Sequence, residues 1–432
     1  MESLGIPTVT IVTSSFKSLA KVVVSAEHIE DACFVVVPHP VGMLPQADVL
    51  KKAEDAFPEI VKMASEWQPL GKSPTSIKTA YPAERFDFTG TIREVDKLYF
   101  EKGWSLGLPI IPPTPECVEE ILAGTKRKPG EVLGQVPPRM GTLTIELVAT
   151  IAAMAGCKPE YMPLLVAISE ALLNPSANWR GALATTGTAQ TVVIVNGPII
   201  KEIGIAYGQG AAGKGYHTNA SIGYAVNLIA YTVGGSKPPL VDMSTLASPA
   251  DFVCWVFGEN EEKLPRGWEP LHVERGFKES DSVVTVMSSY PPVENADSGS
   301  ITPDEHVRWW GNLISPLIGI GGPCIPITIE QSPILAIGPE HAELISSTGW
   351  TKDDFRQVLW EKSRILLSVW PAGCSQMENL IDKLGPIRSE SLIPITLKPE
   401  SFLIVLAGGI GKHSHYFAPF VGSFPVSKVI TE

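Results

Sequence analysis

Pro7-Thr8-Val9-Thr10-Ile11-Val12-Thr13 and Cys33-Phe34-Val35-Val36-Val37 are the two stretches that set the fold class. Both are short, apolar and rich in β-branched residues, as buried strands are, and the turn Pro38-His39-Pro40 closes the second. Residues 14–26 between them read as a short helix. Beyond them, Val49, Leu50, Ala53, Ala56, Ile60, Val61 and Ala64 fall at helical spacing through residues 46–66. The order β-α-β-α is half of a doubly wound sheet. Two parallel strands cannot cover their own faces and edges, so the rest of the chain or another chain must complete them. The expectation is an α/β protein: a small partial doubly wound unit over 1–67, a linker over 68–90, and a large mixed α/β domain over 91–432 with room for two lobes.

Local signals place elements in the large domain. Thr302-Pro303-Asp304-Glu305 is a capping box with Pro at the first helical position, Thr351-Lys352-Asp353-Asp354 opens another helix, and Thr114-Pro115-Glu116-Cys117 a third, stopped by Gly124. Apolar helices are expected over 143–155 and 160–173. Strands are expected at Thr191–Val195, Ser282–Met287, Ile325–Ile329, Ile334–Ile337 and Phe402–Leu406. Val193-Ile194-Val195-Asn196-Gly197-Pro198 and Leu335-Ala336-Ile337-Gly338-Pro339 both run strand, Gly-Pro, helix. Ordinary α/β grammar accounts for that echo, with a true duplication as the alternative.

Composition narrows the function. The 432 residues carry 34 basic and 46 acidic side chains, a formal charge of −12, which disfavours nucleic acid and anionic membranes as partners. Apolar residues make up 44% and charged ones 19%, a packed chain rather than a disordered one. With 38 Gly and 38 Pro, many tight loops are expected. No run reaches the ~18 apolar residues of a membrane span. Met1-Glu2-Ser3 opens acidic, the apolar run at 8–12 is short for a secretion signal, and the six cysteines form no CxxC pair. A cytoplasmic protein with reduced thiols is expected.

Three segments concentrate polar chemistry. Gly208-Gln209-Gly210-Ala211-Ala212-Gly213-Lys214-Gly215-Tyr216-His217-Thr218-Asn219 precedes an apolar helical run, and its glycines let backbone amides approach an anion at a helix start. It fits neither a Walker A loop nor a dinucleotide fingerprint. Gly210, Gly213, Lys214, Tyr216 and Asn219 are therefore candidate substrate contacts and His217 a candidate proton carrier; a structural crossover is the competing account. Glu259-Asn260-Glu261-Glu262 and Trp268-Glu269-Pro270-Leu271-His272-Val273-Glu274-Arg275 form the second segment. As a strand it would put His272 and Glu274 on one face for acid–base work and Arg275 opposite, with Glu259 nearby for substrate; a solvated edge of ion pairs is the bland alternative. The third, Gly408-Gly409-Ile410-Gly411-Lys412-His413-Ser414-His415-Tyr416, follows an apolar strand. Lys412 suits an anion at a strand's carboxyl end and His413 a catalytic role. His413 and His415 in extended backbone could pair on a divalent metal, though no third ligand lies close in sequence. Cys157, Cys324 and Cys374, in glycine-rich contexts, could serve an iron–sulfur cluster but read better as small buried hydrophobes.

Residues 4–42, from Leu4-Gly5-Ile6-Pro7 to Val37-Pro38-His39-Pro40-Val41-Gly42, resemble the UGSC family of (seleno)proteins, and more distantly the selenoprotein B component of glycine reductase. Met154-Ala155-Gly156-Cys157-Lys158-Pro159-Glu160-Tyr161, Val195-Asn196-Gly197-Pro198, Glu259-Asn260-Glu261-Glu262 and Trp268–Gly276 extend the likeness to the region downstream in UGSC-type proteins. In such proteins a selenocysteine or cysteine followed by Gly-Ser-Cys precedes the Gly-Ile-Pro strand by a helix. This sequence opens just before that strand, and Cys33 lies in the second strand, so a partner subunit is expected to supply the loop unless the protein works without it. The resemblance implies an oxidoreductase or lyase subunit acting on a small anionic substrate by thiol- or selenol-type reductive or carbon–sulfur chemistry. The assembly expected is a hetero-oligomer with a small Cys/Sec-loop chain, or a homo-oligomer. A metal-dependent lyase or hydrolase built on His and Cys ligands, and a non-catalytic ligand-holding scaffold, are the alternatives.

Overall fold

A computed structural model describes residues 6, 8–27, 29, 32–42, 44–66, 81–315, 329–369 and 377–431. Most of the expected 68–90 linker, residues 325–328 of the strand expected at 325–329, and Cys324 and Cys374 lie outside these residues. In the N-terminal unit β1 (Val9–Thr13) pairs in parallel with β2 (Cys33–Val37). Helix α1 (Lys17–Ala26) connects them, and α2 (Gln46–Glu66) follows. Val35, Val37 and Ala56 are buried, with half-buried Val9, Ile60 and Met63 packed against them, so α2 covers one face of the pair.

The chain continues through α3 (Ile92–Glu101), α4 (Pro115–Leu122), the hairpin β3 (Val132–Val136) and β4 (Gly141–Thr144), then α5 (Ile145–Met154), α6 (Met162–Leu172) and α7 (Trp179–Ala182). Neither that hairpin nor α3, despite its Thr91–Glu94 capping box, is among the elements expected from the residue pattern. A first run follows: β5 (Gln190–Asn196), α8 (Ile199–Glu202), α9 (His217–Thr232), β6 (Trp255–Gly258), α10 (Leu271–Glu274), β7 (Val283–Ser289) and β8 (Val293–Asn295). After α11 (Pro303–Ile314) comes a second: β9 (Ile334–Ile337), α12 (Pro339–Ser346), α13 (Lys352–Lys362), β10 (Arg364–Leu366), β11 (Leu392–Pro394), β12 (Leu403–Leu406), β13 (Ser414–Phe417) and β14 (Val426–Val429).

The two runs build two mixed sheets, β14-β7-β5-β6 and β12-β9-β13-β8. In each, the first strand pairs in parallel with the second and antiparallel with the third, and the outer strand is antiparallel to the third. One rung of the first sheet reads Phe257–Ile194–Thr285–Ser427, and the matching rung of the second reads Ile404–Leu335–Tyr416–Val293. The outer strands are exchanged: β8 leaves the first run to edge the second sheet, and β14 leaves the second run to edge the first. Where the chains cross, Tyr290 N–H donates to Ala418 O and Phe420 N–H to Ser288 O, both at 2.9 Å. The Gly-Pro echo is thus one visible piece of a repeated topology.

The inner strands β9 and β12, and the middle of β5, are apolar on both sides because both sides are covered. Val192, Ile194 and Met287 of the first sheet pack against Ile334, Ala336, Leu403, Val405 and Phe417 of the second. On the outer face of the first sheet, Val193, Val195, Val284 and Val286 meet α5, α6 and α9. On that of the second, Leu335, Ile337, Ile404 and Leu406 meet α11, α12 and α13. The layers run helix, sheet, sheet, helix, a mixed α/β architecture. Among the described residues no helix is long and apolar enough to cross a membrane.

Candidate functional site

The second strands of the two sheets abut at their carboxyl ends, the position where α/β sheets bind ligands. Asn260 N–H donates to Leu406 O at 2.7 Å, and Leu406 N–H donates to Glu259 Oε1 at 3.2 Å. Asn260 Nδ2 reaches Gly408 O at 3.1 Å, Gly408 N–H reaches Tyr207 O at 2.9 Å, and Gly258 N–H reaches Ala206 O at 3.0 Å. Glycine is required at 409, where a Cβ would collide with Gln209. The three polar segments therefore meet through their backbones.

Their side chains divide into two groups. In the glycine loop, Ala211 N–H bonds Gly208 O and Gly213 N–H bonds Gly210 O, while the Tyr216 hydroxyl donates to Gln209 O. Gly210, Gly213, Lys214, Tyr216 and His217 are exposed, and α9 starts at His217 without a side-chain cap. Lys412 is half-buried on the facing loop, and His413 is exposed with its Nδ1 2.9 Å from Glu294 Oε1. The three imidazoles point to different surroundings. His217 lies against Gly156, His413 against Glu294, and His272 is sealed inside.

Several predicted contacts are instead internal supports. Asn219 is buried; its Oδ1 accepts from Ala206 N–H at 2.8 Å, and its Nδ2 donates to Ala206 O, Ala211 O and Val256 O. Both amide hydrogens are consumed in pinning the loop to β6. Glu259, 1% exposed, accepts from Asn196 Nδ2, Leu271 N–H and Leu406 N–H and faces Lys352 Nζ at 4.0 Å. Burial raises its carboxyl above the usual range, with Lys352 pulling the other way. Residues 271–274 form the short helix α10 rather than an extended segment, so His272 and Glu274 do not share a strand face. Glu274 orients no histidine; it takes Lys352 Nζ at 3.3 Å and Arg356 Nη2 at 2.8 Å. Arg275 turns to the exchanged strand, donating to Ser427 Oγ and to Pro425 O.

The amide of each Gly-Pro turn is also filled from within. Gly197 N–H donates to Glu261 Oε1 at 2.8 Å, a carboxylate that Asn196 Nδ2 also holds, and Gly338 N–H donates to Ser414 Oγ at 2.9 Å. Among the described residues no group of three or more His, Cys, Asp or Glu is placed to hold a metal. His415 is turned from that role by its setting: its ring lies tilted beside Trp255 and Phe417, and burial lowers its pKa. Burial pushes the Cys157 and Cys254 thiols up to about 12. A surface cavity of about 460 Å³ is lined by Lys126, Glu160, Ile199 and Glu202, among others; no predicted site residue lines it. Sequence reading missed Asp297, His306, His341 and Ser414, which cluster inside the second half and carry no motif at their spacing.

Residues 1–66 match the model of the UGSC family. That N-terminal unit is a UGSC family unit. No curated protein and no solved structure matches the chain.

Proposed function

We propose that this chain is a subunit of a cytosolic enzyme that holds a small anionic substrate between the 208–216 loop and the 408–412 loop. The observation that carries the reading is the meeting of segments around 207, 260 and 408 at the carboxyl ends of two abutting strands. Lys214, the loop amides and the uncapped start of α9 bind the negative charge, and Lys412 closes the opposite wall. His217 or His413, both solvent-facing, moves the proton.

The proposed chemistry is thiol- or selenol-type reduction or carbon–sulfur bond cleavage, with the attacking group brought by a companion chain. The UGSC match over 1–66 supports it. Cys157 and Cys254 are protonated and enclosed, so neither competes for the attacking role. Thermal unfolding of the full chain with inorganic phosphate, glycolate and thioglycolate tests the binding half. A saturable rise in Tm with at least one anion, removed in Lys214→Ala and Lys412→Ala, is expected. No rise, or a rise that both variants retain, overturns the site.

A further inference from the structure

The buried cluster that the sequence did not reveal has its hydrogens fixed by its partners. Gly338 N–H donates to Ser414 Oγ at 2.9 Å, and Ser414 Oγ lies 2.7 Å from His341 Nδ1. His341 Nε2 lies 3.0 Å from the carbonyl oxygen of Asp297, which only accepts, so Nε2 carries the imidazole proton. Nδ1 is then bare and takes the serine hydroxyl. Trp310 Nε1–H donates to His306 Nε2 at 3.1 Å, which leaves His306 Nδ1–H for the Asp297 carboxylate at 2.7 Å. The two imidazoles lie 4.2 Å apart, and Lys412 is close enough to oppose protonation of both. Burial, with help from His306 and Lys412, lowers His341 to about 4, so it is a neutral base at pH 7. Asn295 shares a ladder rung, and hence a sheet face, with Ser414. It is fully buried and neither atom of its amide has a partner.

We propose that Ser414 and His341 form a nucleophile–base pair for acyl transfer from a small carboxylate-bearing ester or thioester, with Asn295 Nδ2 as donor to the oxyanion. Ser414 Oγ bonds to the acyl carbon as its proton passes to His341 Nδ1, and the carbonyl electron pair moves onto oxygen, facing Asn295. Collapse breaks the bond to the alcohol or thiol, which leaves with the proton from His341. Water attacks the acyl-serine by the same route and releases the acid. The Asp297 carbonyl orients the base, as the third member of such an arrangement does. Lys412 supplies charge for the substrate carboxylate. Ser414 is 1% exposed, so the acyl group enters only when the 408–412 segment, held by Gly408 N–H on Tyr207 O and Gly411 N–H on Glu340 Oε1, moves aside. Apart from the shared Lys412, this inference stands independently of the anion site between the loops.

The test is labelling of the full chain with a fluorophosphonate probe, followed by peptide mass spectrometry. A single adduct on Ser414 is expected, absent in Ser414→Ala and reduced at least a hundredfold in His341→Gln, with a labelling rate flat from pH 6 to 9. No adduct, an adduct elsewhere, or a Ser414 adduct that His341→Gln retains at the wild-type rate overturns the proposal. If Ser414→Ala does not fold, the pH profile of the wild type decides. A rate rising tenfold per pH unit from 7 to 9 marks an unassisted hydroxyl and overturns it.

Discussion

Leu406 N–H donates to the carboxylate of Glu259 at 3.2 Å, joining the second strands of the two sheets across 147 positions of sequence. The same carboxylate accepts from Asn196 and Leu271 and faces Lys352, itself held by Glu269 O, Ile404 O and Glu274. A buried charge in this position ties the two halves together. Removing one member leaves the others desolvated and unpaired, typically a loss of about 3 kcal/mol or more. Glu259→Ala is expected to lower the unfolding free energy by that amount, read as a lower urea midpoint at an unchanged m-value. A loss below about 1 kcal/mol would show that the junction does not depend on this carboxylate.

The exchanged strands make the first half depend on the last residues described. Val426–Val429 covers the edge of β7, and Arg275 anchors its approach through Pro425 O and Ser427 Oγ. Deleting 425–432 exposes an apolar edge strand whose faces are already buried, and such an edge recruits other chains. Light scattering should report aggregates where the full chain gives a discrete species. A truncated chain that unfolds cooperatively at the original temperature would refute the dependence.

Local chemistry was legible in the sequence where one residue decides. Thr114, Thr302 and Thr351 each cap the helix expected of them, and β2 and β9 have the bounds read from their apolar runs. The same-face reading of His272 and Glu274 failed because so short a segment cannot distinguish alternation from a single helical turn, and Pro270 starts the turn. The sheet partners were illegible for a physical reason. A strand buried on both faces has no polar side to reveal its neighbours, and three-residue β8 chooses a partner over 100 residues away. In the candidate site, Glu259 and Asn260 were conspicuous as polar residues, but only the structure shows them filled by Leu406, Leu271 and Gly408.

Acid should act through the histidine cluster. The folded pKa of His341, about 4, lies below the 6.5 of an unperturbed imidazole, so the unfolded chain binds the proton first. Stability is therefore full above pH 6.5, falls as pH drops toward 4, and then levels off for this group. The difference corresponds to roughly 3 kcal/mol. Asp297, which burial pushes up but Ser300 and His306 hold down at about 2, adds a loss between pH 4 and 2. Urea unfolding from pH 7 to 4 should show the first decline, and His341→Gln should flatten it. An identical slope in the variant would assign the acid sensitivity elsewhere.

Thiol reactivity should divide by position. Cys157 and Cys254 are buried, with thiols pushed up to about 12, so almost no thiolate is present at pH 8. Iodoacetamide applied to the folded chain at pH 8 should leave both unmodified, whereas half-buried Cys33 and Cys117 are open to it. Peptide mapping before and after denaturation reads this directly. Alkylation of Cys157 or Cys254 at the rate of Cys117 would mean that the α5–α9 layer opens readily.

Asn219 and Lys214 sit five residues apart in the glycine loop and should fail in opposite ways. Asn219 is enclosed and makes four hydrogen bonds, to Ala206, Ala211 and Val256, that fix the loop on β6. Asn219→Ala leaves buried backbone carbonyls of the loop and strand unsatisfied, at a cost of about 2–4 kcal/mol. Lys214 is exposed and its removal disturbs no internal bond, so Lys214→Ala should move Tm by no more than a degree or two. With a stabilising anion present, the dependence inverts: Lys214→Ala loses the ligand-induced rise while a folded Asn219→Asp, which keeps the acceptor, retains part of it. Calorimetry of both variants with and without phosphate measures the pair. A Lys214→Ala chain as unstable as Asn219→Ala would make the whole loop a structural crossover, and the anion site would then have to be sought beside Lys412 alone.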